Sequence, residues 1–74
     1  MSLTDGEFRH LAALIERHIG IHMPTSKRTM LQARVLRRIH RLGMSTYAEY
    51  CELLGRGLST GDPRATEELI AFLD

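Results

Sequence analysis

Seventy-four residues, 43% of them apolar but only 5% aromatic, make one small domain whose core must come from Leu, Ile, Val, Met and Ala, which suits packed helices better than a sheet sandwich. The single cysteine, Cys51, excludes an internal disulfide, no apolar run approaches the ~18 residues of a membrane span, and nothing at the N-terminus resembles a secretory signal, so a cytoplasmic protein without membrane insertion is expected. The net charge of +1 conceals a division, because residues 27–43 hold six of the ten Lys and Arg and no Asp or Glu, which leaves −5 on the remainder.

In chain order, Thr4-Asp5-Gly6-Glu7 has the spacing of a capping box, with Thr4 as N-cap and Glu7 reaching back to it. Phe8, Leu11, Ala12, Ile15 and Ile19 then recur at helical spacing, which predicts an amphipathic helix over 5–18 that Gly20 stops. Residues 21–24 form a short turn, since Pro24 lacks an N–H and disfavours a helical residue before it.

Thr25 or Ser26 is the expected cap of the next helix, over 26–42, which Gly43 ends. Leu31, Val35, Ile39 and Leu42 share one face of it, with Leu36 at the margin; Arg34, Arg37 and Arg41 share the opposite face, flanked by Lys27 and Arg38. Like charges at this spacing repel by roughly 0.2–0.5 kcal/mol per pair, which calls for acidic groups either within the fold or on a partner.

Ser45 or Thr46 caps a third helix, over 46–54, with Tyr47, Tyr50, Cys51 and Leu54 on one face. Residues 55–61 contain three glycines and read as a flexible connection. Asp62-Pro63 starts a fourth helix, an N-cap followed by proline at the first helical position, over 63–73 and on toward Asp74, with Thr66, Leu69, Ile70 and Leu73 on one side. That helix is still running where the sequence stops, with Phe72 and Leu73 unspent, which reads as a piece of a longer protein. The expected fold is all-α, a bundle of four helices.

Little here suggests chemistry within the chain. Of the four histidines, His18 and His22 are four apart, but Gly20 interrupts the helix between them, and with His10 and His40 they read as surface residues and not as a metal set. Cys51 is a nucleophile only if a base is held against it; its place beside Tyr47, Tyr50 and Leu54 reads as a buried structural thiol, and the tyrosines as core. The glycines of 55–61 lack the lysine of a phosphate-binding loop. No catalytic, cofactor-binding or metal-binding residue is expected, and the chain reads as a binding module.

The basic strip is the candidate site. Such strips are commonly solvated faces of little energetic weight, but the separation of +6 from −5 favours a binding role. Nucleic acid is the less favoured partner: the net charge is low, the acidic remainder would meet phosphates, and base-stacking aromatics are few.

One pattern runs the length of the chain. Phe8 with Leu14-Ile15, Gly20-Ile21, Lys27-Arg28, Met30-Leu31, Arg34, Arg37-Arg38, Leu42-Gly43-Met44, and Tyr47 with Tyr50 and Leu53-Leu54 resembles the N-terminal domain of the chemotaxis receptor methyltransferases, from Asp5 to Asp74. The resemblance implies that residues 1–74 are a receptor-recognition domain, with a Thr-Asn-containing linker, a Phe-Phe-Arg motif and a larger α/β methyltransferase domain expected after residue 74. It implies enzymes that transfer a methyl group from S-adenosylmethionine to glutamates on the cytoplasmic helical bundle of chemoreceptors, with cofactor and catalytic residues beyond this chain. The implied partners are the chemoreceptor cytoplasmic domain and the chain's own C-terminal catalytic domain. A protein regulator on the basic face is the alternative. By position, the family's basic residues fall on Lys27, Arg28, Arg34, Arg37 and Arg38; at position 40, where relatives can place an arginine, the chain has His40 and adds Arg41. The expected partner-binding set is Lys27, Arg34, Arg37, Arg38 and Arg41.

Overall fold

The computed structural model describes residues 2–73 and contains four α-helices and no strand among them. The first, α1 (Asp5–Ile19), is opened by the capping box: the Thr4 hydroxyl accepts from the Glu7 N–H at 3.1 Å, and the Glu7 carboxylate accepts from the Thr4 N–H at 2.9 Å. Gly20, at φ 80°, closes it in the left-handed region that glycine enters without a Cβ penalty.

The second helix, α2 (Arg28–Arg41), begins two residues later than expected, and neither Thr25 nor Ser26 caps it by side chain. A 3₁₀ turn, Thr25–Lys27, leads in instead, and its tighter bonds, such as Lys27 N–H to the Pro24 carbonyl at 3.0 Å, take up a donor that a cap would have satisfied. At the other end Met44 N–H reaches the Ile39 carbonyl and Gly43 N–H the His40 carbonyl, the paired bonds of a Schellman stop. Leu42 therefore leaves the helical face and is 36% exposed, not part of the buried stripe.

The third helix, α3 (Tyr47–Thr60), corrects the expectation most. It does not stop at Leu54 but passes through Gly55 and Gly57 to Gly61, whose φ is 74°. Glycine within a helix costs about 1 kcal/mol relative to alanine, and local propensity alone favours a break. Packing against the fourth helix, α4 (Pro63–Ala71), outweighs it: a Cβ on Gly57 would lie 2.8 Å from the Ala65 Cβ. Gly57 is thus the contact that lets α3 and α4 cross closely. The Asp62 N–H closes the hairpin on the Gly57 carbonyl at 2.8 Å, and the Asp62 side chain then caps α4 by accepting from Arg64 N–H at 3.0 Å.

Helix α4 ends at Ala71, and the residues that looked unspent are used. Phe72 is 4% exposed and meets the Tyr50 ring edge-on at 6.3 Å between centroids, while Leu73 is half-buried against the same core. Ile70, expected inside, is 45% exposed. Asp74 lies outside the described residues. Helix α4 packs on α1 and α3, and α2 on α3, around a core in which Leu11, Ile15, Leu31, Val35, Tyr50 and Leu69 are fully buried. That core turns the other side of α2 to solvent.

Candidate functional site

Burial of Leu31, Val35 and Ile39 aims the arginines of α2 outward, but the fold engages three of them itself. Arg28 sits where the helix dipole disfavours a cation. It compensates by pairing with Asp5, by donating to the Leu3 carbonyl at 2.9 Å, and by lying 5.8 Å from the centre of the Phe8 ring. The same guanidinium holds the Asp5 carboxyl below the usual carboxylate range, through a hydrogen bond first and charge second. Arg34, half-buried, donates to the Phe72 carbonyl at 2.8 Å, one of the carbonyls that the end of α4 leaves without a helical partner. Arg38 pairs through Nε with Glu68 of α4.

Arg37 and Arg41 make no ion pair or side-chain hydrogen bond among the described residues, and both are exposed. They stand one turn apart and, with Arg34, Arg38, Ala71 and Phe72, line a cleft of about 160 Å³ between α2 and the end of α4. Four of the five expected binding residues therefore converge. Lys27 stands apart, exposed at the 3₁₀ turn, where it lines a separate and more apolar cleft with Ile21, Met23, Met30 and Leu73. The acidic compensation that the strip demanded is partly internal, supplied by Asp5 and Glu68, and neither was identifiable from its position in the sequence.

The engagement of Arg34 has a consequence for stability. Arg34→Ala is expected to cost about 1 kcal/mol, since it removes a charge-assisted bond and leaves the Phe72 carbonyl half-covered. Thermal denaturation checks this against Arg37→Ala, which has no such partner and should change stability by under ~0.5 kcal/mol.

A second cluster was not foreseen. Cys51 is only partly buried, and His10 is held against it, with Nδ1 3.4 Å from Sγ and 3.0 Å from the Tyr47 hydroxyl. Burial, more than the neighbouring thiol, pushes the Tyr47 phenol pKa up. The Tyr47–Cys51 spacing of one turn was visible in the sequence, but His10, 41 positions from Cys51, was not. His22 approaches Glu16 at 3.9 Å with both side chains mostly exposed. Among the described residues no three His, Cys, Asp or Glu side chains converge on a metal-sized site, and no helix is long and apolar enough to cross a membrane.

Comparison with known proteins agrees with the all-helical fold described above. The family described as "CheR methyltransferase, all-alpha domain" matches residues 6–74. The chemotaxis protein methyltransferase of Escherichia coli strain K12 is 32% identical over 77 residues, covering 97% of this chain and 27% of the relative. That of Salmonella typhimurium is 30% identical over the same length and coverage, and that of Klebsiella aerogenes is 33% identical over 67 residues, covering 90% of this chain and 21% of the relative. The chain thus spans about a quarter of the length of the curated relatives it matches. No solved structure gives a significant match. Since the match takes in all four helices and the turns between them, the chain belongs to the CheR methyltransferase all-alpha domain family.

Proposed function

We propose that the chain is the substrate-recognition domain of an S-adenosylmethionine-dependent protein-glutamate O-methyltransferase, and that α2 docks on the acidic methylation region of a bacterial chemoreceptor. The observation that carries this reading is the pair Arg37 and Arg41, exposed and unpaired among the described residues, at the edge of an arginine-lined cleft. The docking set is Lys27, Arg34, Arg37, Arg38 and Arg41, with Arg37 and Arg41 making first contact. In this reading residues 1–74 form one recognition domain, a catalytic domain that binds the cofactor follows in the longer cytoplasmic enzyme, and this chain by itself neither binds S-adenosylmethionine nor transfers methyl groups.

Arginine suits the task because its planar fork can give a carboxylate two parallel hydrogen bonds. A basic helix also steers an acidic bundle onto itself and raises the association rate. The chemistry adds direction. A glutamate converted to its methyl ester loses its charge, so the arginines hold the unmodified region more strongly than the product and favour its release.

Binding of the chain to a soluble chemoreceptor cytoplasmic fragment tests the proposal. Affinity should fall steeply as ionic strength rises past about 0.1 M, where screening lengths shrink to ~10 Å. It should also be lower for a fragment carrying glutamine at its methylatable positions. Affinity independent of salt and of those carboxylates would overturn the reading.

A further inference from the structure

Arg34 and Arg38 lie one turn apart on α2, and they hold Phe72, just past the end of α4, and Glu68 within it, in the opposite order along the chain. The two arginines differ in what they hold. Arg34 satisfies a backbone carbonyl, whereas Arg38, still 44% exposed, grips a carboxylate that is 20% exposed. Glu68 presents Arg38 with the same functional group that a docking glutamate would bring. The buried Tyr50 hydroxyl has the Glu68 carboxylate as its neighbour: after burial, the charge of that carboxylate and then a hydrogen bond with it push the phenol pKa up. A carboxylate that keeps this donor is not left bare when Arg38 turns to another partner.

We propose that Glu68 is an internal latch on Arg38, a stand-in for the partner's carboxylate, which the partner displaces. The proposal rests on the docking role of α2 and gives Glu68, which the fold pairs with Arg38 of that helix, a part in it. In the latched state Arg38 is neutralised, and only the exposed arginines attract an acidic surface. When a carboxylate of sufficient local concentration arrives beside Arg37 and Arg41, it exchanges with Glu68 at Arg38. One ion pair replaces another. Weakly acidic surfaces do not complete the exchange, so the latch sharpens discrimination for dense clusters of carboxylates over scattered ones.

The test is binding of the chain and its variants to a chemoreceptor cytoplasmic fragment with glutamate at its methylatable positions. Glu68→Gln removes the charge that competes for Arg38 and should raise affinity about three- to fivefold. In an Arg38→Ala background the same change should give no gain. In the parent chain, the Arg38 Nε–H resonance should shift on titration with the fragment, a readout that needs no variant to fold. Parent binding that Glu68→Gln leaves unchanged or weakens, or an Arg38 Nε–H that stays put while that of Arg37 moves, would overturn the latch alone. Absence of salt-sensitive binding by the parent would overturn the docking role and the latch together.

Discussion

Reversing two charges on α2, Arg37→Glu with Arg41→Glu, is expected to weaken binding to an acidic chemoreceptor fragment by roughly 30-fold or more. Each substitution removes an attraction and adds a repulsion, so about 1 kcal/mol per site is a modest expectation, and two sites give about 2 kcal/mol or slightly more. The fold should tolerate both changes. Neither side chain has a partner among the described residues, and both point away from Leu31, Val35 and Ile39. A glutamate at position 41 meets the negative end of the helix dipole, which costs a few tenths of a kcal/mol. Glutamates next to Arg34 and Arg38 recover a similar amount by relieving like-charge repulsion. Stability should therefore stay within about 0.5 kcal/mol of the parent. Arg9→Glu with Arg17→Glu, at exposed positions on α1, makes the same change of four charges and serves as the control for net charge. If the α2 reversal and the α1 control lower affinity equally, only the overall charge matters; if neither does, the strip is a solvated face.

The largest effect on stability is expected from Leu69→Ala. Leu69 is fully buried on α4, a nine-residue helix too short to persist without its neighbours and packed against both α1 and α3. Truncation removes the transfer free energy of the side chain and leaves a cavity at a three-helix contact, a combination that costs about 2–5 kcal/mol. A domain of this size has a total stability of about 4–11 kcal/mol, so the variant should lose about 10–25 °C in Tm or fail to fold. Loss of α4 also releases Arg34 and Arg38 from Phe72 and Glu68. Hydrogen exchange should accordingly show α4 and the second half of α2 opening together in this variant. A shift in Tm below about 4 °C, roughly 1 kcal/mol, would show that α4 contributes little to the core.

Much of the fold was legible because its signals are local. The capping box at Thr4 and Glu7, the Asp62-Pro63 start and the glycine stops at 20 and 43 each work through bonds spanning six residues or fewer. Such bonds form whatever the remainder of the chain does. The apolar stripe of α2 was legible for a related reason: one face must be buried, and 3.6-residue periodicity decides which residues share it. From that stripe followed the outward face and the arginines on it.

The course of α3 through Gly55 and Gly57 was not legible. Propensity favours a break there, and the opposing term is a close crossing with Ala65 that exists only once α4 has folded back. The division of labour within the arginine strip was hidden in the same way. Sequence alone placed Arg34, Arg37, Arg38 and Arg41 on one surface and required acidic partners for them. Which arginines the fold uses and which it leaves to a partner depended on Asp5, Glu68 and the Phe72 carbonyl, groups 23 to 38 positions away. His10 came to rest against Cys51 across 41 positions for the same reason. Short-range hydrogen bonds and burial periodicity are written residue by residue and can be read there. Contacts between helices depend on how close and at what angle whole helices cross, and the packing of the assembled core alone decides that.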